Sequence, residues 1–238
     1  MVLTSLFDGR LEPLTYSIGF LSAPPKRVAR AVRWLYFRWP DAWRRVAVLD
    51  GGLEEALLQL QPLGGFLLPR VLVASTALEG WSAVFDGDGR IHGLGGRGVS
   101  VRLSRALRVP GYFVAAAPPA LDPEHFPGFR QFYVLGPQTG RDHVRAVWVS
   151  EEEDVGRWHF GTDGEVQPYE DVEAYRRRRH TDRFTERMLV DYAAAVGLRP
   201  WEDSFYRPPF HLITSLRLGH DRFQRTLAQA RTEMKLDE

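Results

Sequence analysis

The chain has 238 residues, 44% of them hydrophobic, which suits one large domain or two small ones with a real core and excludes a disordered composition. It holds no cysteine, which excludes disulfides, thiolate metal sites and a cysteine nucleophile. The net charge of +1 excludes strong whole-molecule attraction to nucleic acid, although Lys26 and Lys235 are the only lysines and every other strong base is an arginine.

In chain order, residues 15–21 alternate large and small side chains and predict a strand. Ala23-Pro24-Pro25 breaks it and suits the first turn of a helix over 26–39, with Val28, Val32, Leu35, Tyr36 and Trp39 at helical spacing. RRVAVLD, 44–50, predicts a second strand. Residues 53–60 predict a short helix closed by Pro62 and Gly64-Gly65. This β-α-β-α order defines an N-terminal subdomain, 1–75. Its apolar end, 66–75, contains Pro69 and is expected to be an extended connection or an edge strand.

The second part, 76–238, predicts strands at 81–86, 112–117 and 129–135, and a helix over 99–107 with Ser100 as its cap. Residues 144–150 and 157–160 predict a hairpin pair. Thr162-Asp163-Gly164 should then turn the chain into 165–169. Helices are expected over 170–179, with Val172 and Tyr175 inward, and over 186–196, with Thr185 as N-cap and Gly197 just past the end. Residues 205–214 are mixed and contain Pro208-Pro209. A final helix over 221–234 places Phe223, Leu227, Ala230 and Met234 on one stripe.

The stretch DGDGRIHGLGGRG, 86–98, looks most like a chemical motif. Gly93-x-Gly95-x-x-Gly98 matches the dinucleotide fingerprint by letter. However, six residues separate it from the strand, and no acid follows at the ribose position. Counted as a calcium loop from Asp86, positions 6 and 12 hold Ile91 and Arg97 instead of Gly and Glu. An exposed loop without cofactor is therefore expected over 87–98. The seven histidines form no HExxH motif, and the serines form no G-x-S-x-G elbow. Trp158 and Phe160 are expected to share a core-facing strand surface with Trp148.

Two basic segments remain. The first helix carries Arg27, Arg30, Arg33 and Arg38 on its second face, with Trp34 and Phe37 among them. Burial of both aromatics under another layer is the first reading, and stacking on a partner the second. The run Arg176-Arg177-Arg178-Arg179 falls at the expected C-terminus of helix 170–179, opposite Glu170, Asp171 and Glu173 at its start. That order suits the helix dipole; a phosphate- or acid-binding patch is the other reading.

A strand ending AVFDG is followed by RAVWVS, then by GRWHFGTDGEVQPYEDVEAYRRRRHTDRFTERMLVDYAAAVGL and DSFY. Trp158, Phe160, Gly161, Gly164, Glu170, Tyr175, Arg183, Phe184 and Thr185 carry the pattern. On these residues the span from about 81 to 206 resembles an uncharacterised bacterial, actinobacterial-type protein family. The resemblance implies no catalytic residues. By analogy it implies an interaction role of the immunity or defence kind.

The expected fold is α+β: a mixed, largely antiparallel sheet with flanking helices, in subdomains 1–75 and 76–238 or in one compact unit. The expected function is non-enzymatic protein–protein interaction in a bacterial cytoplasm, since no signal-like or membrane-spanning segment is read. The alternative is nucleic-acid or nucleotide binding by the arginine-rich helices. The third is an enzyme whose site is assembled from scattered histidines and acids. No catalytic, cofactor or metal residue is assigned. The candidate surface comprises Arg30, Arg33, Trp34, Phe37, Arg176, Arg177, Arg178 and Arg179. A homo-oligomer is compatible with it.

Overall fold

The computed structural model describes residues 4–35, 43–64, 70–87, 94–118, 127–137, 141–152, 156–216 and 224–237. Strands β1 (Ser17–Leu21), β2 (Trp43–Leu49), β3 (Val71–Thr76), β4 (Ser82–Asp86), β5 (Gly111–Ala117), β6 (Phe129–Leu135), β7 (Arg145–Glu151), β8 (Trp158–Gly164) and β9 (Tyr206–Leu216) join in one antiparallel sheet. Their order across it is β2-β9-β3-β4-β1-β5-β6-β7-β8. With helices packed on the sheet, the protein is α+β. The strands of the first 75 residues are dispersed: β1 pairs with β4 and β5, whereas β2 pairs with β9.

Alternation along the strands loads both faces of the sheet. On one face, Val71, Val73, Val84 and Ile213 pack under α1 (Pro25–Leu35) and α3 (Leu94–Leu107), through Val28, Ala29 and Val32 and through Val99 and Leu103. Phe113, Phe129 and Tyr133 continue that face against Val101 and Met234. On the other, Phe20, Leu72, Phe85, Phe132 and Phe210 meet α2 (Leu53–Leu58) and α5 (Glu186–Ala195).

Several expectations are corrected. Residues 71–76 form no edge: β3 lies between β9 and β4, and five of its six residues are buried. An interior strand of this kind is apolar on both faces, so its sequence shows no alternation. Residues 66–69 lie outside the described set. Helix α3 starts at Leu94, five residues early, so Ser100 is inside it and caps nothing; Gly95 and Gly98 are helical. Gly87 is buried rather than exposed. Its N–H donates to Arg70 O at 2.8 Å and its carbonyl accepts from Gly64 N at 2.9 Å. Residues 88–93 lie outside the described set.

Residues 162–164 belong to β8, and the chain turns only at Gly164, whose φ is +86°. No strand forms over 165–169. Nor do residues 170–179 form a helix; only a 3-10 turn, Ala174–Arg176, and then α4 (His180–Arg183) appear. The cause is Glu170, whose carboxylate is drawn into the protein by Arg145 instead of lying at an exposed helix start. Val172 is 40% exposed, whereas Tyr175 is half-buried. Trp148 does not join Trp158 and Phe160. It pairs in register with Gly161 and packs on the opposite face, while Val149 pairs with Phe160. Two residues one apart in a strand cannot share a face.

Other local readings hold. Thr185 accepts from Met188 N at 3.2 Å and caps α5, and Gly197 follows the helix at φ +82°. Helix α6 (Leu227–Glu233) buries Leu227 and Ala230, with Met234 at its C-cap also buried. It begins later than expected because Thr226 and Gln229 form a capping box there. Residues 221–223 lie outside the described set. The prolines of β9 precede Phe210, where pairing with β2 ends, and sit where the register with β3 shifts, so the missing N–H groups break no regular ladder.

Gly19 of β1 fixes how closely α3 approaches the sheet, since an added Cβ would overlap the Ser100 hydroxyl. Gly19→Ala is expected to cost about 1–3 kcal/mol by overpacking. At about 2–4 °C per kcal/mol for a chain of this size, the circular-dichroism melting midpoint should fall by several degrees. An unchanged midpoint would mean that α3 has room to move away.

Candidate interaction surface on helix α1

Helix α1 buries Val28, Ala29 and Val32 completely enough to seat it over β9, β3 and β4. At about 100° per residue, two further stripes remain. Lys26, Arg30 and Arg33 face β2; Arg27, Ala31 and Trp34 face α3. Lys26, Arg27, Arg30, Arg33 and Trp34 are all exposed.

Each stripe forms one wall of a groove. Towards α3, Arg27, Ala31, Trp34 and Leu35 oppose Ala106 and Leu107 across a cavity of about 430 Å³, which Arg30 also borders. Arg27 donates to Leu107 O at 3.1 Å, fixing one end of that wall on the last carbonyl of α3. Trp34 is 62% exposed, the highest value among the described large apolar side chains. The reading in which a second layer buries Trp34 is thereby overturned. Phe37 and Arg38 lie outside the described residues, as does Trp39.

Towards β2, Lys26, Ala29, Arg30 and Arg33 oppose Val46 and His211 across about 320 Å³. His211 is 5% exposed. Burial, and secondly the positive charge of Lys26, holds its pKa below the ordinary 6.5. Neither Lys26 nor His211 was singled out from the sequence. Lys26 lacked aromatic neighbours, and His211 stood in a proline-containing segment with no clear period. Its place two residues from Ile213 was the available signal.

The second basic segment lies elsewhere. Arg176, Arg177, Arg178 and Arg179 are exposed around the 3-10 turn and the start of α4, which packs on β7 and β8. Ala174 and Phe184 beside them belong to the core on the face opposite α1. At ~4.8 Å per strand, about 20–35 Å of sheet separates the two basic surfaces, besides its thickness. Arg176 pairs with Glu173 at 3.0 Å, and Arg177 donates to Asp182 O at 3.0 Å. The structure therefore brings Arg30, Arg33 and Trp34 together and does not bring the Arg176–Arg179 run to them.

Residues 145–192 also enclose a buried polar cluster. Arg145 forks onto Glu170 at 2.8 and 2.6 Å and donates to Gly164 O at 2.8 Å; both charged side chains are almost fully buried. Tyr175 donates to Glu170 at 2.7 Å and meets Tyr192 OH at 2.9 Å. Burial raises the pKa of Tyr169, Tyr175 and Tyr192, so all three stay phenols. Arg130 donates to Phe184 O at 2.9 Å and lies 5.3 Å from the Trp158 ring centroid. Thus Trp158, Gly164, Glu170, Tyr175 and Phe184 meet in one structural cluster.

Four histidines lie within the described residues. His143 bonds Asp163 at 2.9 Å, which lowers the acid's pKa, and its ring meets Tyr133 edge-on rather than a nucleophile. His159 bonds Glu152 at 3.0 Å, and His180 bonds the Trp158 carbonyl. Among the described residues, no three His, Asp or Glu side chains gather closely enough for a metal ion. Among them, too, no helix is long and apolar enough to cross a membrane. Comparison with known proteins gives no matching family model, no matching curated protein and no matching solved structure.

His211 makes a pH dependence testable. Its folded-state pKa is depressed, so as pH falls through 6.5 the unfolded chain takes a proton that the folded chain refuses. The unfolded state then binds more protons, and stability drops. The facing charges are Lys26, Arg30 and Arg33, while β2 and β3 place Val48 and Val73 in register with the ring. Urea midpoints from about pH 7 to about pH 5.5 should fall more steeply for the parent than for His211→Gln. Equal slopes would show that the ring titrates as it does in the unfolded chain.

Proposed function

We propose that the protein is a non-enzymatic binding protein whose α1–α3 face takes another protein, one that presents an apolar side chain flanked by acidic groups. The observation that supports this reading is Trp34, 62% exposed beside a groove with an apolar floor and two arginines. Exposed tryptophan and arginine are the residues most enriched at the energetic centres of protein interfaces. Leu35, Ala106 and Leu107 offer a slot for an apolar anchor, and Arg27 and Arg30 offer forks for carboxylates. An immunity- or defence-associated role in the bacterial cytoplasm is the setting in which we place it.

The nucleic-acid alternative draws on the same cations. A duplex needs several of them along one track, whereas the two basic segments lie on opposite faces of the sheet. The protein partner is therefore preferred.

The test is a photo-crosslinking amino acid at position 34 in the producing cells, with a second at position 172 on the opposite face as control. One discrete protein adduct is expected from position 34 and not from 172. It should be lost when Arg27 and Arg30 are both changed to Glu. Identical adducts from both positions, or an adduct indifferent to the charge reversal, would overturn the reading. In parallel, fluorescence anisotropy with a labelled duplex should show no submicromolar binding at physiological salt, for the parent or for a variant with Arg176–Arg179 all changed to Ala.

A further inference from the structure

The two edges of the sheet are built differently. β8 ends it on one side with His159, Thr162 and Asp163 exposed, and α4 packs on it. Polar side chains and a covering element are ways in which an edge is kept from pairing. β2 ends the sheet on the other side, and its centre, Val46–Ala47–Val48, is apolar. Its register with β9 is unbroken from Trp43 to Leu49, so no bulge twists it away, and it holds no proline or lysine. Val46 is 39% and Val48 57% exposed, both on the side of the sheet that carries α1. Residues 45–49 make no backbone hydrogen bond to a described residue outside β9. About half of their N–H and C=O groups therefore point outward along an apolar edge.

We propose that β2 pairs antiparallel with β2 of a second copy of this chain, Ala47 opposite Ala47, in a dimer whose sheet runs continuously through both copies.

The strand is complementary to itself. RRVAVLD, 44–50, is basic at its start and acidic at its end, so antiparallel pairing lays each basic start beside the acidic end of the other copy. A two-fold axis normal to the sheet requires one residue to lie opposite itself. With Ala47 there, Val46 of each copy meets Val48 of the other, and the stem of Arg45 lies across from Leu49. Centring on Val48 instead sets Val46 opposite Asp50, and centring on Val46 sets Val48 opposite Arg44; both lose the paired valines. A foreign strand would satisfy the same backbone groups, but the second copy already carries the matching order of charge and valine. The opposing effect is the positive charge of α1. That helix lies over β9 and β3, so the two copies of it stand three to five strand spacings apart, about 14–24 Å at ~4.8 Å per strand. The Debye length at physiological salt is about 8 Å, so the repulsion is largely screened. Pairing uses the outer edge of β2 in both chains, and the assembly closes at two copies. Trp34 faces α3, on the side of α1 away from β2, so its groove stays open in the dimer.

The experiment is sedimentation equilibrium of the full chain from about 1 to 300 µM, with a monomer–dimer Kd of about 1–100 µM expected for so small a contact. Val48→Lys and Asp50→Arg change exposed side chains, so each should weaken the dimer by about tenfold or more at an unchanged melting midpoint. Val172→Lys, at an exposed position elsewhere, should leave it unchanged. Disulfide trapping reads the register, because the chain has no cysteine of its own. Ala47→Cys sets two thiols across the axis with Cα atoms about 4.5–5.5 Å apart, within disulfide reach. Arg45→Cys leaves them about 14 Å apart along the strands. Treatment with diamide should therefore link Ala47→Cys chains into covalent dimers much faster than Arg45→Cys chains. A chain that stays monomeric to about 300 µM would overturn the proposal. So would a dimer indifferent to both Val48→Lys and Asp50→Arg, or equal trapping at positions 45 and 47. A dimer lost on Trp34→Ala but not on Val48→Lys would move the contact to the α1–α3 face and overturn it as well. Photo-crosslinking at position 34 reads that other face, so either reading can fail alone.

Discussion

Strands β3, β4, β1 and β5 are covered on both sides, and the rest of the architecture follows from that. Leu72 and Ala74 point into one core while Val71 and Val73 point into the other, and Phe20 and Leu21 divide in the same way. A strand with no solvent face must be apolar throughout, so its charged residues have to be carried elsewhere. Much of that charge falls on the outer sides of the covering helices. α1 gives the core a stripe of three buried residues and leaves the remainder of its circumference to four cations and a tryptophan. The edge strand β2 is only partly covered, which leaves Val46 and Val48 accessible beside those cations. The two grooves of α1 thus arise where a covered sheet runs out of cover.

The buried pair Arg145–Glu170 solves a different problem. The chain leaves β8 at Gly164 and must return over β7 towards α5 without a long helix to carry it. Glu170 accepts from Arg145, Tyr175 and Gln167 N, and Arg145 also holds the Gly164 carbonyl. Such pairs contribute little net energy compared with an apolar replacement, but losing one partner strands the other charge. Their value here is positional: they fix an irregular segment whose backbone groups no ladder would satisfy.

What the sequence made legible was local. Thr185 and Gly197 bound α5 because a cap and a left-handed glycine are single-residue signals. Val28 and Val32 showed the buried face of α1 by period. The opposite error came with residues 170–179, where acids before arginines looked like a dipole-matched helix; the deciding partner, Arg145, is 25 residues away. The same holds for β3, an interior strand only because β9 arrives beside it from more than 130 residues downstream. Of the candidate surface, Arg30, Arg33 and Trp34 were visible as a cationic helix face. His211 was not, because its significance depends on which helix lies over its strand.

The position of β9 bears on how the chain is made. Among the described strands β2 pairs with β9 alone, and β9 is synthesised about 160 residues later. At ~5–20 residues per second, β2 and the outer edge of β3 stay unpaired for roughly 8–30 s on a translating ribosome. Their exposed N–H and C=O groups form an open template through that interval. A nascent chain stopped anywhere before Tyr206 would carry that template permanently. Release of the intact C-terminal portion is what closes the sheet.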